Sequence, residues 1–238
     1  MDTLWMELWA GGPRFRQAAQ APLGTDSVLL ADFAGGKGAR GIDLGCGSGI
    51  LSLLLLWGNE KLRMTGLEIA PEAARVAREN LAQNGLDARG EVVTGDIRRV
   101  RELFRTGSFD FAIANPPYFP QNSGASAPDA LRAAAREERS CTLGELCGAA
   151  AYLLPTGGRF CLVQRPERLS EVLNALTRNG LEPKRLRLCC HRASTAPNLF
   201  FIEARRGGKP GLKIEPILFL TDSAGNESEQ VKRIYHRA

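Results

Sequence analysis

Two histidines, His191 and His236, stand in 238 residues, so a histidine-based metal site or a Ser/His/Asp triad has almost no material to work with. Six cysteines, Cys46, Cys141, Cys147, Cys161, Cys189 and Cys190, are scattered without a C-x-x-C pair. That pattern disfavours zinc and dithiol frameworks and leaves them as reduced, mostly buried apolar side chains. No metal is expected. The longest apolar run, from Leu51 to Trp57, is bracketed by Gly49 and Gly58, far short of the ~20 residues that cross a bilayer. It reads as a buried helix, with no membrane partner. Asp2 and Glu7 follow Met1, and no basic segment leads into an apolar stretch, which predicts a cytoplasmic protein.

What remains is globular in character. Hydrophobic residues make up 44% of the chain and charged residues 24%, and the length suits one large α/β domain. The net charge of +5 favours a polyanionic partner, since Lys and Arg release counterions from phosphates, although many basic proteins bind nothing acidic.

From about residue 40 short apolar runs alternate with longer amphipathic ones, the pattern of a parallel sheet with crossover helices. Strands are predicted at 41–44, 63–68, 90–94, 109–114, 158–164, 184–190 and 199–205, and helices at 50–57, 71–84, 97–104, 143–154 and 166–179. Pro71 suits a first helical turn, and Asn84-Gly85 and Asn179-Gly180 suit C-terminal caps. The expected organisation is a single domain over 1–238: an extension at 1–39, a doubly wound core at 40–206 and an appendage at 207–238. The appendage carries an apolar run, 212–220, read as an extra sheet edge, and a basic amphipathic end read as a terminal helix. The stretch 120–127, rich in Gln, Asn, Ser, Gly and Pro, predicts a loop that could act as a lid.

The clearest motif is Ile42-Asp43-Leu44-Gly45-Cys46-Gly47-Ser48-Gly49, a strand running into a glycine-rich turn and a helix. Glycines there permit positive φ and close approach of backbone to a ligand. No Lys-Ser/Thr pair follows, which argues against a triphosphate loop. An acid at the strand end would repel a pyrophosphate but suits a cationic ammonium group. Glu68, with Ile69 beside it, ends the second strand 25 positions after Asp43, where a carboxylate can take two ribose hydroxyls. Asp96, followed by Ile97, ends the third strand and suits an adenine amino group. Asp43, Gly45, Cys46, Gly47, Gly49, Glu68, Ile69, Asp96 and Ile97 are therefore the candidate cofactor-binding residues, with Asn115 completing the set.

The fourth strand runs into Asn115-Pro116-Pro117-Tyr118. An exocyclic amine conjugated to a ring or carbonyl is a poor nucleophile because its lone pair is delocalised. The Asn115 side-chain oxygen and the Pro116 carbonyl can accept its two N–H groups and favour a pyramidal nitrogen aimed at a sulfonium methyl. Pro116 and Pro117 stiffen the loop, and Tyr118 can stack on a flat base.

These motifs resemble class I methyltransferases that act on amino groups. Further segments, Asp26-Ser27-Val28-Leu29-Leu30-Ala31-Asp32-Phe33, Ala135-Arg136-Glu137-Glu138, Leu162-Val163-Gln164-Arg165-Pro166-Glu167-Arg168-Leu169, Gly180-Leu181-Glu182-Pro183-Lys184-Arg185 and Gly208-Lys209-Pro210-Gly211-Leu212, are similar to the bacterial tRNA1(Val) (adenine-37-N6)-methyltransferase family. Residues 17–24 depart from that family in lacking basic and aromatic side chains. The resemblance implies a Rossmann-like fold, a mostly parallel seven-stranded twisted sheet with helices on both faces. It also implies S-adenosylmethionine as cofactor and tRNA, at the anticodon region, as partner, with Asn115, Pro116 and Tyr118 holding the adenine. Arg136, Arg139, Arg165, Arg168, Lys184, Arg185, Lys232, Arg233 and Arg237 are candidates for phosphate contact. Glutamine-N5 methylation of a protein, adenine methylation of DNA and a non-catalytic cofactor- and RNA-binding role stand as alternatives.

Overall fold

The computed structural model describes residues 4–18, 24–36, 38–116 and 141–237. A small hairpin, β1 (Met6–Glu7) with β2 (Arg14–Phe15), precedes α1 (Thr25–Ala34). Alternation then begins: β3 (Arg40–Leu44), α2 (Ile50–Gly58), β4 (Arg63–Glu68), α3 (Pro71–Gln83), β5 (Gly90–Thr94), α4 (Val100–Leu103), β6 (Phe111–Ala114). After residue 140 come α5 (Leu143–Leu153), β7 (Arg159–Gln164), α6 (Leu169–Arg178), β8 (Leu181–Cys190) and β9 (Pro197–Arg206). Last are β10 (Lys213–Ile214), β11 (Leu218–Phe219) and α7 (Glu229–Ile234).

Nine strands form one sheet in the order β10-β8-β9-β7-β6-β3-β4-β5, with β11 also paired to β8. The strands from β7 to β5 are parallel, whereas β9 runs antiparallel between β7 and β8. The seven strands anticipated from apolar runs are all present, and the sheet is mostly parallel as expected. The apolar run at 212–220 forms two strands rather than one, β10 and β11, both parallel to β8. Pro216 stands between them and has no N–H to give a continuous ladder.

Side chains alternate across the sheet as the pleat requires. Phe111 and Ile113 join one core with α1 and α2 residues such as Leu30 and Leu53. Ala112 and Ala114 join the other with Leu146 and Leu153 of α5 and Val172 and Leu176 of α6. Helices therefore cover both faces. Helix α2 is the buried apolar run foreseen, with only its Trp57 end 41% exposed. Asn84 and Asn179 occupy C-cap positions, with Gly85 and Gly180 at positive φ behind them.

Three helical segments differ from expectation, one of them only at its start, where the helix read at 166–179 opens with a 3-10 turn, Pro166–Arg168, before α6. Residues 97–104 split into a 3-10 turn, Ile97–Arg99, and the single turn of α4, because Asp96 accepts the N–H of Arg98 only two residues on and tightens the entry. Helix α1 was not among the anticipated helices. Val28, Leu29, Leu30, Ala31, Phe33 and Ala34 are all buried in it, so apolar residues surround it and no amphipathic stripe marks it. It packs between α2 and strands β7 and β9, with α7 against it.

Candidate functional site

Because β5, β4, β3 and β6 are parallel neighbours, their C-terminal ends open on one edge of the sheet, where ligands of open α/β sheets bind. The register places Asp43 beside Gly66 on one side and Ile113 on the other, and Glu68 beside Thr94. Asp43, Glu68, Asp96 and Asn115 thus sit at or just beyond the ends of four adjacent strands.

The glycine-rich turn leaves β3 with Gly45, Gly47 and Gly49 at φ of 75°, 54° and 76°, values that a side chain would strain. The N–H groups of Gly45 and Cys46 both donate to the Leu67 carbonyl, at 2.8 and 3.1 Å. Glu68 then clamps the turn: its Oε2 accepts the Gly47 N–H at 2.8 Å and its Oε1 the Ala70 N–H at 2.8 Å. Gly49 caps α2, and a Cβ there would come within 2.9 Å of Ala77 Cβ, so its absence lets α2 start against α3. The region over Gly45 is open, the nearest atom to a Cβ built there being Ile97 Cδ1 at 3.8 Å.

Asp43 is 1% exposed and accepts a hydrogen bond from Ser52 Oγ at 3.0 Å. Burial pushes its carboxyl up to about 7, the nearby Glu68 adds to the rise, and the Ser52 hydrogen bonds oppose it. No Lys or Arg forms an ion pair with it among the described residues, so a bound cation would supply a missing counter-charge. Burial likewise drives the Cys46 thiol well above its usual value, with Asp43 and Glu68 adding to it, so Cys46 is a packing residue under the turn and not a nucleophile.

Asp96 caps the 3-10 turn through the Arg98 N–H at 2.8 Å, and the Arg98 guanidinium lies across both its oxygens, with Nε at 2.9 Å from Oδ2. The Arg98 hydrogen bond and charge hold its carboxyl below the usual range. A ligand amino group at Asp96 would therefore share it with Arg98. Ile69 is 49% exposed at this edge, an apolar surface beside the Glu68 carboxylate.

Asn115 and Pro116 follow β6 and are partly buried. The Asn115 amide donates from Nδ2 to Ser27 Oγ at 2.9 Å, and Asp26, one residue earlier on α1, stands close enough for the same side chain to draw its carboxyl down. Helix α1 thus delivers two polar residues to the motif from 88 positions away in sequence. Burial lifts the Asp26 carboxyl, while backbone hydrogen bonds, the Asn115 side chain and the charge of Arg165 pull it back. Pro117 and Tyr118, and the loop expected at 120–127, lie outside the described residues.

Sequence reasoning missed the residues that tie the N-terminal segment to the turn. Asn80, fully buried on α3, accepts the Arg16 N–H at 2.7 Å and donates to the carbonyls of Arg16 and Ser48 at 2.9 and 2.8 Å. Asn84, one turn on, brackets Arg14 in the same way. Ala18 N–H reaches Ser48 Oγ at 2.9 Å, so residues 14–18 run along α3 to the glycine-rich turn. The i, i+4 pair of asparagines was the available signal.

Among the phosphate-contact candidates, one needs correction. Arg168 is buried and paired with Glu171 at 2.8 Å, so it serves the interior, whereas Arg185, half-buried, is tied to Glu203 and Glu215 at 2.8 and 2.7 Å. Lys232 and Arg237 pair with Glu229 and Glu227, Lys184 donates to the Lys209 carbonyl and Arg233 donates to the Glu229 carbonyl. Arg136 and Arg139 lie outside the described residues. Arg165, just past β7, lies near enough to Asp26 for its charge to favour that carboxylate. No cluster of three or more His, Cys, Asp or Glu suited to a metal occurs among the described residues, and none of their helices is long and apolar enough to cross a membrane.

Comparison with known proteins places these features. The family model "Methyltransferase small domain" matches residues 23–179. A tRNA1(Val) (adenine(37)-N6)-methyltransferase of Porphyromonas gingivalis is 36% identical over 157 residues, 63% of this chain and 61% of that protein. This chain thus spans about three fifths of that relative's length. The protein of the same name from Tolumonas auensis is 30% identical over 210 residues, 87% of this chain and 85% of the other. Among solved structures, an Agrobacterium tumefaciens protein described as a predicted O-methyltransferase superposes with a TM-score of 0.74 at 22% identity, covering 90% of this chain and 97% of its own. Geranyl diphosphate C-methyltransferase from Streptomyces coelicolor A3(2), solved with S-adenosyl-L-homocysteine, gives 0.54 at 14% identity and 76% coverage of both. These structural likenesses concern the fold.

Proposed function

The chain belongs to the methyltransferase small domain family and, within it, to the tRNA1(Val) (adenine(37)-N6)-methyltransferase family, and on that footing we propose that it transfers a methyl group from S-adenosylmethionine to the N6 amino group of an adenine in tRNA, at position 37 beside the anticodon of tRNA1(Val). The observation that carries the reading is the placement of Asn115 just past β6, which pairs with β3, the strand that feeds the glycine-rich turn.

The residues fit that cofactor. The positive-φ turn leaves open space over Gly45 beside Ile97, and Asp43 is a buried carboxylate with no cationic side chain paired to it among the described residues. Each Glu68 oxygen accepts one backbone N–H and retains capacity for a ribose hydroxyl. In this reading Asp43 faces the ammonium end, Glu68 the ribose, and Asp96 with Ile97 and Ile69 the adenine, while Gly45, Cys46, Gly47 and Gly49 shape the backbone around them. The bound cofactor supplies an electrophilic methyl on a sulfonium.

Asn115 Oδ1 and the Pro116 carbonyl accept the two N–H groups of the target amine, turning its lone pair out of conjugation. A C–N bond then forms as the S–C bond breaks, its electron pair remaining on sulfur. The proton leaves the product nitrogen afterwards, so no side-chain base is required before transfer. Pro117 and Tyr118 stiffen the loop and stack on the base.

The test is transfer of labelled methyl from S-adenosylmethionine to bulk tRNA from a strain lacking this gene, with wild type beside Asn115→Ala. Label with wild type alone, recovered as N6-methyladenosine after nucleoside digestion, is the expected result. No label on tRNA, with label on a protein glutamine or on DNA, would move the assignment to those acceptors; cofactor and RNA binding without label on any acceptor would leave the non-catalytic role.

A further inference from the structure

Glycines give the turn after β3 its shape but cannot hold that shape alone. Gly47 and Gly49, at φ of 54° and 76°, flank Ser48, and without a Cβ on either side the backbone there has a wide choice of conformations. From the sheet side the Leu67 carbonyl and Glu68 hold it. From the α3 side Asn80 holds it, its Nδ2 donating to the Ser48 carbonyl at 2.8 Å. Ser48 stands ahead of the N-cap Gly49 and so outside the hydrogen-bond ladder of α2.

The remaining bonds of Asn80 go to a different segment. Nδ2 also donates to the Arg16 carbonyl at 2.9 Å, and Oδ1 accepts the Arg16 N–H at 2.7 Å. A backbone N–H only donates and a carbonyl only accepts, so these partners fix which end of the amide is oxygen. The buried side chain thus joins two stretches of backbone that lie 64 and 32 positions from it. Residues 14–18 form a strap with its own footing. Phe15 is buried in the core, and Ala18 packs on Ala73 and Val76 of α3. The Arg16 guanidinium lies 4.5 Å over the Trp5 ring, and the hairpin ahead sets Trp9 4.4 Å from the His236 ring. The Ala18 N–H, donating to Ser48 Oγ at 2.9 Å, is a second tie between strap and turn.

We propose that Asn80 is a positioning residue that pins the Ser48 carbonyl of the glycine-rich turn to the N-terminal strap, so that the affinity for S-adenosylmethionine is set in part by residues outside its pocket; the inference rests on the cofactor reading of this turn. Asn84 supplies the internal comparison. It brackets Arg14 with the same pair of hydrogen bonds but makes none to the turn. Loosening the strap at Asn84 should therefore lower stability without freeing Ser48, whereas a change at Asn80 does both.

The experiment uses the full chain as wild type, Asn80→Ala, Asn84→Ala and Ser48→Ala. It combines calorimetry with S-adenosylmethionine, kcat and KM at varied cofactor, melting temperature, and backbone hydrogen exchange with and without cofactor. Asn80→Ala should weaken cofactor binding, and raise its KM, by about fivefold or more. Its kcat at saturating cofactor should stay within about twofold of wild type, as for loss of a purely binding interaction. Asn84→Ala should leave the affinity within about twofold. Without cofactor, the Gly47 and Gly49 N–H groups should exchange faster in Asn80→Ala than in wild type or Asn84→Ala. Because coupling is reciprocal, S-adenosylmethionine should slow exchange at Arg16 and Ala18 in wild type, and this protection should vanish in Asn80→Ala.

Equal losses of affinity in Asn80→Ala and Asn84→Ala, tracking their melting temperatures, would make Asn80 a support of the fold and overturn the proposal. If wild type binds no S-adenosylmethionine, the cofactor reading fails, and exchange in the cofactor-free protein decides the positioning: a turn that exchanges no faster in Asn80→Ala overturns it. Should Asn80→Ala not fold, Ser48→Ala, which removes the Oγ that accepts the Ala18 N–H, takes its place. Faster exchange at Ala18 and Gly47 together with weaker cofactor binding would support the link, and wild-type values of both would overturn it.

Discussion

Glu68 Oε2 accepts the Gly47 N–H at 2.8 Å while Oε1 accepts the Ala70 N–H at the same distance. One carboxylate therefore fixes both the turn leaving β3 and the chain leaving β4. Glu68→Ala removes both acceptors and should cost about 1–3 kcal/mol of stability. S-adenosylmethionine affinity should fall by more than the loss of its hydroxyl contacts alone, since the Gly47 backbone is no longer held. Glu68→Gln is not benign either, because its NH2 group would face one of the two N–H donors. Thermal unfolding with and without cofactor, together with titration calorimetry, checks both. A Glu68→Gln variant with wild-type affinity would deny the clamp.

Asp43 makes the cofactor affinity depend on pH. Its folded-state carboxyl is raised from 3.8 to about 7, so between those values the native chain holds a proton that the unfolded chain has lost. Stability from this group is full below the unfolded value, declines as pH rises toward 7 and levels off above it. An ammonium group bound nearby favours the carboxylate. Binding of S-adenosylmethionine should therefore release a proton below pH 7, and its affinity should strengthen up to about pH 7 and then flatten. Asp43→Asn should bind weakly at every pH, with neither slope nor proton release. Calorimetry in buffers of different ionisation enthalpy reads both quantities, and a wild-type affinity independent of pH would contradict the assignment.

Asp96 and Arg98 set up a competition. The guanidinium occupies the carboxylate that an adenine amino group would use. Arg98→Ala should tighten cofactor binding modestly, by about twofold to fivefold, as expected for loss of a half-exposed ion pair worth under 1 kcal/mol. Asp96→Ala should weaken it. Equal losses in the two variants would mean that Arg98 itself contacts the ligand.

Legibility in the sequence followed the range of the forces involved. Strands β3, β4, β6 and β7 each bury an apolar run on both faces, so they are visible as runs, and the strand-end acids are visible because strand ends are. Helix α1 escaped because burial all round leaves no period to detect. Asn80, Asn84 and the α1 residues against Asn115 act across 64, 70 and 88 positions of chain, which no local pattern encodes. Arg168 was misjudged because a charge reads as surface until its burial is seen, and Arg185 because its tie to the buried Glu203 spans 18 positions of chain.

Glu203 is the centre of the last such group. It is 3% exposed on β9 and lies 3.3 Å from Arg159 and 2.8 Å from Arg185, with Arg205 at 3.7 Å. Arg159 is itself buried, and Arg185 also reaches Glu215 at 2.7 Å. Removing the carboxylate would leave two guanidinium groups facing each other around an empty acceptor site, in a place where water cannot easily compensate. Glu203→Ala should therefore cost about 3–5 kcal/mol, the range for breaking one partner out of a buried pair. For a chain of this length that is a fall of roughly 6–20 °C in melting temperature. The same two arginines hold the Phe33 and Ala34 carbonyls at the end of α1, so the damage should not stop at stability. At a temperature where the variant is still folded, hydrogen exchange should rise along α1 while the β3 to β5 side of the sheet stays protected. A uniform rise across the sheet would mean that Glu203 supports the fold as a whole; a rise confined to α1 and β7 to β9 would place it as the anchor of the helix that carries Asp26 and Ser27.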